Sequence, residues 1–260
     1  MTHALTPSLN LPNTPVLITG GASGIGYACA QALAAVGRPV AIWDINGDRA
    51  AEAAKNIHAD FGVATHAEAI DLRELAGYSD SIDKTRKALG PIGGLVHAAG
   101  IVDQASVDGI TEESWAAGID THLRPLAILV RDLLPDFSAQ PHSAVVAITS
   151  INATLGNAVN PIYSAAKGGM LSLVRSMADR LAHDGIRINS VSPGQILTPM
   201  MQPAVDHLPD GYFEKRILLE RLGAPEEIGR VVRFLLSTEA SYLTAAEIVV
   251  DGGNISSQRG

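Results

Sequence analysis

The sequence predicts an α/β fold: a doubly wound, Rossmann-type parallel sheet of seven strands flanked by helices in a single domain. Three observations predict it. Short aliphatic or β-branched runs alternate with longer Ala-rich stretches, the pattern of strands joined by crossover helices. The first run is followed at once by a glycine cluster that opens into a helical stretch, as at a dinucleotide-binding turn. The length of 260 residues, 47% of them hydrophobic, suits one large core better than two small ones.

The strands are read in order as Val16 to Ile18, Val40 to Trp43, a weaker one within Val63 to Ile70, and Leu95 to His97, followed by Ala144 to Ile148, Ile186 to Val191 and Ile248 to Val250. They are short and rich in aliphatic residues, as strands buried on both faces should be. Helical periodicity fills Gly24 to Ala35, Asp48 to Phe61, Arg73 to Leu89, Glu112 to Leu134, Ile162 to His183 and Glu226 to Leu236. Pro225 followed by Glu226 and Glu227 marks a helix start, because proline loses nothing in a first turn and acids favour the positive end of the dipole. Two stretches break the alternation. Residues 1–13 hold two of the first prolines and little periodicity, so a mobile arm or a strap over the surface is expected, with the domain proper over 14–260. Residues 193–224 follow the sixth strand and carry Pro199, Pro203 and Pro209; an insertion beyond the carboxyl end of a parallel strand is where such sheets build a substrate loop or lid.

Composition narrows the partners. A formal charge of -8 gives no source for the phosphate attraction that drives nucleic-acid binding, so neither DNA nor RNA is expected. No window reaches the ~18 uninterrupted apolar residues of a membrane span. The single cysteine, Cys29, cannot form an internal disulfide, and no cation precedes Arg38 to start a targeting segment; a cytoplasmic protein is expected. The eight histidines are scattered, so no metal is expected.

After the first strand comes Thr19-Gly20-Gly21-Ala22-Ser23-Gly24-Ile25-Gly26. Glycines permit a tight turn and close backbone approach to a pyrophosphate, while the helix beyond offers free N–H groups. No Lys-Ser or Lys-Thr follows to meet a terminal phosphate and its magnesium, so a dinucleotide is preferred to ATP. Gly20, Ser23, Gly24, Ile25 and Gly26 are therefore cofactor candidates. Asp44 ends the second strand 18 residues beyond Gly26, the place of an acid that holds the adenosine ribose and repels the extra phosphate of NADP. Neither Ala22 nor Ile45 supplies the cation an NADP site wants, so NAD is expected over NADP. The other reading of Asp44 is a turn or capping carboxylate. Asp71 and Leu72 close the third strand in the same way; the Asp71 carboxylate is either an acceptor for the adenine amino group or a turn residue.

Tyr163 and Lys167 stand at i and i+4, on one helix face and one turn apart. An ammonium beside a phenol, with an oxidised nicotinamide near, favours the phenolate and brings tyrosine from ~10 toward working pH as a general base. Ser150 ends the fifth strand 13 residues before Tyr163, near enough in chain to converge on it and place a substrate oxygen.

With these residues in order, the sequence resembles the short-chain dehydrogenase/reductase family in its compact single-domain form, over nearly the whole chain. The glycine run looks like the family's TGxxxGxG loop, and Ser150 with Tyr163-Ser164-Ala165-Ala166-Lys167 looks like its catalytic serine and YxxxK. Pro193-Gly194-Gln195-Ile196-Leu197-Thr198 is similar to the PGxxxT stretch, which makes Pro193, Gly194, Ile196 and Thr198 candidates for the nicotinamide end, and Asp251-Gly252-Gly253 resembles the terminal DGG. The resemblance implies hydride transfer between NAD(P) and an alcohol or ketone, with tyrosine as acid/base, lysine tuning it and binding the nicotinamide ribose, and serine holding the substrate oxygen. It also implies a homotetramer or homodimer. Two departures stand out. His97-Ala98-Ala99-Gly100 replaces the usual Asn-Ala-Gly, leaving Ala98, Ala99 and Gly100 as cofactor candidates. His122 takes the place of an asparagine that helps organise a water-mediated proton path to the lysine. Either His122 enters the relay and adds a pH dependence, since imidazole titrates near neutrality, or it only packs the helix.

Substrate choice is expected from Ser150, Tyr163, Gln195 and Met200, with Ala153 to Leu155 and an adaptable apolar lid. No arginine cluster is there to grip a phosphate or polycarboxylate, so a small, largely neutral secondary alcohol or ketone is expected. The competing function is a non-catalytic dinucleotide-binding sensor or scaffold, for which His122 is the best support. An epimerase or dehydratase is weaker, for want of the longer substrate domain.

Overall fold

The computed structural model describes residues 7–104 and 106–256. Seven strands, β1 (Val16–Thr19), β2 (Val40–Asp44), β3 (Thr65–Ala69), β4 (Gly94–His97), β5 (Ala144–Ile148), β6 (Arg187–Pro193) and β7 (Glu247–Val250), form one parallel sheet in the order β3-β2-β1-β4-β5-β6-β7. The strand order reverses between β1 and β4, and a crevice at the carboxyl ends there is where such sheets bind ligands.

Alternation along β1 builds two cores. Val16 and Ile18 face the layer of α1 (Gly24–Ala34), α2 (Gly47–Phe61) and α8 (Pro225–Leu235). Leu17 faces α3 (Tyr78–Leu89), α4 (Glu112–Ala139) and α6 (Pro161–Ala182). The short α5 (Asn152–Leu155) and α7 (Gln202–His207) belong to the connections after β5 and β6.

Three boundaries differ from expectation for stated reasons. Helix α4 runs through Pro135 to Ala139 instead of stopping at Leu134. Leu133 and Phe137 are fully buried there, and at roughly 1.5–3 kcal/mol each they offset the ~3 kcal/mol cost of an interior proline. Helix α3 starts at Tyr78, not Arg73, because Gly77 is its N-cap and a 3₁₀ turn over Leu75–Gly77 precedes it. The expected coil 193–224 contains α7 and a 3₁₀ turn over Glu214–Arg216, closed by a bridge between Ile196 and Gly223.

The expected mobile arm falls partly on residues 1–6, which lie outside the described residues. Beyond them it is a strap. Ser8 N–H donates to Glu239 Oε1 at 2.7 Å, the Ser8 and Thr238 hydroxyls are 2.8 Å apart, and Thr238 N–H donates to the Leu11 carbonyl at 2.9 Å. These bonds explain why a segment without periodicity is held.

Candidate active site

Four connections meet at the crevice. The glycine loop packs so closely on the segment after β4 that a Cβ on Gly20 would sit 2.7 Å from Ala99 Cα, and one on Gly26 would sit 2.1 Å from the Gly20 carbonyl oxygen. Only glycine closes this turn. Thr198 Cγ2 lies 3.5 Å from where a Gly24 Cβ would stand, so the connection after β6 reaches the glycine loop, as the expected cofactor set requires. Gly194 in turn abuts Asp251, to within 2.6 Å of a would-be Cβ.

The cradle fits a dinucleotide on its own geometry. Ser23, the N-cap of α1, makes no side-chain capping bond, and no acid stands in the first turn. The N–H groups of Gly24, Ile25 and Gly26 thus form an open positive helix end, which suits a pyrophosphate. The Asp44 carboxylate faces this loop: Oδ2 accepts from Ala22 N–H at 3.2 Å and Oδ1 from Asn46 N–H at 3.0 Å. Asp71 is engaged otherwise. Both its oxygens accept from the Arg73 guanidinium, the shorter at 2.6 Å, and Oδ1 also takes the Arg73 N–H, which is the turn role of the two expected. Leu72 beside it is buried.

At the other end of the crevice, Tyr163 and Lys167 share one face of α6, with the ammonium 5.5 Å from the ring centroid. The Ser150 hydroxyl stands near enough to the phenol to favour its ionised form, and Ser150 Oγ accepts Asn152 N–H at 3.1 Å. The serine, tyrosine and lysine singled out 13 and 4 residues apart are therefore brought together. Their electrostatics differ from expectation. Burial pushes the Tyr163 phenol above its ordinary value, and the Ser150 hydroxyl only partly opposes it. Burial also brings Lys167 down to about 7, and its ammonium donates to the Ile148 carbonyl at 2.6 Å. A buried amine that loses its charge near neutrality is a weak source of field, so the lysine alone does not make this phenol acidic.

The two histidines form a frame. His97 Nδ1 meets the Thr19 hydroxyl at 2.8 Å, and that hydroxyl oxygen accepts Ala98 N–H and Ala99 N–H at 3.2 and 3.3 Å. His97 Nε2 donates to the His122 carbonyl at 2.8 Å. The imidazole thus ties β1, the 98–100 turn and α4 together. Burial, then Lys167, lowers His97 to about 4. His122 is fully buried, stacks edge-on against Tyr163 at 5.4 Å, and places Nε2 3.1 Å from Ile101 N and 2.8 Å from Ile101 O. Gly100 has no room for a Cβ beside this ring. Burial and Lys167 hold His122 well below its ordinary value, which weighs toward the packing reading of the two.

The substrate candidates divide. Ser150 and Tyr163 face the crevice, and a cavity of about 160 Å³ behind Tyr163 is lined by Ile101, Val102, Asp103, Gly118, His122 and Ile162 among others. Gln195 instead lines a second cavity with Leu219, Arg221, Glu227 and Asp251, since its backbone is bridged to Gly223. Met200 is half-exposed on the lid. Sequence reasoning missed Asp103 and Thr19. Asp103 accepts Tyr163 N–H at 2.8 Å and Ile162 N–H at 3.2 Å across 60 residues, a separation over which no local pattern speaks.

The chain is similar in sequence and fold to several known proteins. A family model described as Enoyl-(Acyl carrier protein) reductase matches residues 20–254. A probable galactose dehydrogenase of Rhizobium meliloti is 31% identical over 94% of this chain and 96% of its own length. An acetoacetyl-CoA reductase of Shinella zoogloeoides is 35% identical over 91% and 96%. The crystal structure of L-sorbose reductase from Gluconobacter frateurii, complexed with NADPH and L-sorbose, superposes with a TM-score of 0.90 at 27% identity, covering 96% of this chain and 99% of that one.

Proposed function

The chain belongs to the short-chain dehydrogenase/reductase family, and on that premise we propose that it oxidises a small, largely neutral secondary alcohol to a ketone, or runs the reverse, with NAD as hydride partner. The single observation that carries the reading is the convergence of Ser150, Tyr163 and Lys167 at the crevice that the open end of α1 enters. A nicotinamide dinucleotide, when bound, takes up or delivers the hydride. Gly20, Ser23, Gly24, Ile25 and Gly26 would hold its pyrophosphate, with Ala98 to Gly100, Pro193, Gly194, Ile196 and Thr198 toward the nicotinamide end. The chain's own residues handle the proton. Ser150 hydrogen-bonds the substrate oxygen, the Tyr163 hydroxyl exchanges a proton with that oxygen, and Lys167 orients the nicotinamide ribose from one turn below. Water is excluded from Lys167, which is 3% exposed.

The preference for NAD rests on Asp44, whose carboxylate faces the glycine loop and makes no ion pair among the described residues. The L-sorbose reductase was crystallised with NADPH, which makes cofactor choice the finer part of the proposal. A neutral substrate is favoured because the lid's arginines are engaged: Arg221 pairs with Glu227 at 2.7 Å and Arg216 lies over the Tyr212 ring at 5.1 Å. Among the described residues no helix is long and apolar enough to cross a membrane. A cytoplasmic homodimer or homotetramer completes the proposal, and sedimentation of the purified chain checks its assembly.

The test is a panel of secondary alcohols followed by NADH absorbance, run beside Tyr163→Phe. Turnover is expected with wild type and a loss of about 10²–10⁴-fold in the variant, with NAD affinity kept. Binding of NAD without turnover on any alcohol would replace the enzyme by a dinucleotide sensor. Asp44→Ala is expected to narrow the preference for NAD over NADP, and an unchanged ratio removes that carboxylate from cofactor choice.

A further inference from the structure

Helix α6 begins with Pro161, which has no N–H, so the donors that its first turn must satisfy from outside the helix are those of Ile162 and Tyr163. Its own N-cap, Asn160, makes no side-chain capping bond. Both donors go instead to one carboxylate from the connection after β4: Asp103 Oδ1 accepts Tyr163 N–H at 2.8 Å and Oδ2 accepts Ile162 N–H at 3.2 Å. The Asn160 side-chain amide donates to the Asp103 carbonyl as well. Packing backs this turn from α4, where Ile162 abuts Gly118 and His122 stacks against Tyr163, whereas the 160 Å³ cavity lies against Ile162 and Tyr163 on the Asp103 side.

From this we infer that Asp103 is a positioning residue for the general acid/base: it fixes the height and direction of Tyr163 by closing the helix end from a loop 60 residues away in the chain. The carboxylate supplies both acceptors and a charge that favours the positive end of α6. These two bonds add a polar tie to the packing of Ile162 on Gly118 and of Tyr163 on His122, and they act directly on the backbone from which the phenol projects. Lys167 sits one turn further on and is anchored separately through the Ile148 carbonyl, so loss of Asp103 moves the tyrosine relative to the lysine. Misplacement of a reacting group by ~1 Å costs about 10²-fold in rate. The inference rests on the proposed oxidoreductase function for its kinetic consequence and on geometry alone for its structural one.

The experiment compares wild type with Asp103→Ala and Asp103→Asn for kcat, KM, NAD affinity and amide hydrogen exchange. Asp103→Ala should lower kcat by about 30- to 100-fold while KM and the NAD Kd stay within about threefold. Asp103→Asn should fall between, because its carboxamide oxygen keeps one of the two acceptors. The Ile162 and Tyr163 amides should exchange at least about tenfold faster in Asp103→Ala, with the later turns of α6 unchanged. A folded Asp103→Ala with wild-type kcat overturns the inference, as does a parallel loss of NAD affinity and kcat, which marks general damage. Should wild type oxidise no alcohol, the function proposal fails by itself and amide exchange decides: unchanged protection at Ile162 and Tyr163 in either variant overturns the positioning role. Asp103→Asn carries the comparison if Asp103→Ala does not fold.

Discussion

The two ends of the crevice are built from opposite materials. At the β1–α1 end the helix terminus is left open, with Ser23 making no cap, no acid in the first turn and glycine where any Cβ would collide. At the β5–α6 end the terminus is closed by Asp103, and the helix carries Tyr163 and Lys167 beside a frame of buried ionisable side chains, His97 and His122. The difference teaches how one fold divides its labour. A backbone that keeps its donors free serves an anionic group brought from outside, whereas a helix that carries a reacting side chain has its donors spent internally, so that the side chain stays where it is.

The largest effect is expected from closing the open end. Ser23→Asp places a capping carboxylate at α1, which should raise helix stability by about 0.5–1 kcal/mol while weakening NAD binding by at least about tenfold, through occupied donors and like charge. A calorimetric Tm and an NAD titration on the same sample check both; a variant that binds NAD as wild type does breaks the comparison.

Next comes the buried lysine. Burial depresses Lys167 to about 7, whereas an unfolded lysine titrates near ~10.4. Between these values the unfolded chain binds more protons than the native one, so stability from this group rises with pH across that window. Below about 7 the amine is charged in both states and the full desolvation cost, on the order of a few kcal/mol, stands. Lys167→Met should therefore be more stable than wild type at pH 6, and denaturant titrations at pH 6, 8 and 9.5 should show that margin shrinking steadily. A constant margin would mean the ammonium is already neutralised by a partner.

The smallest effect is expected at His122. Because burial and Lys167 hold its imidazole neutral across working pH, His122→Asn should leave the shape of the kcat/KM profile between pH 6 and 9 unchanged, with any loss uniform across it. A profile that shifts only in the histidine protein would restore the relay role with its pH dependence.

Much of this site was legible in the sequence because its signals are local. The glycine loop, the i and i+4 pair of Tyr163 and Lys167, and Ser150 at a strand end each occupy one short stretch whose backbone geometry follows from the residues themselves. The alternation of strands and helices gave the doubly wound class, and the structure shows the reversal of strand order between β1 and β4. What failed to show was decided across long separations. Asp103 reaches α6 over 60 residues, and the continuation of α4 past Pro135 depends on the core that Phe137 enters. The Ser8 strap depends on Thr238 and Glu239 at the far end of the chain. Charge states belong with these. The sequence places an ammonium one turn from a phenol, but solvent exclusion, a property of the assembled layers alone, sends Lys167 down and Tyr163 up. By itself, then, the sequence determined the fold and marked the glycine turn and the cluster of Ser150, Tyr163 and Lys167 on which the proposed chemistry rests, since each follows from local geometry and periodicity. Only the tertiary structure decided their protonation, the closure of α6 and the roles of the two histidines, because burial and hydrogen bonding between distant segments exist only once the sheet and its helices have packed.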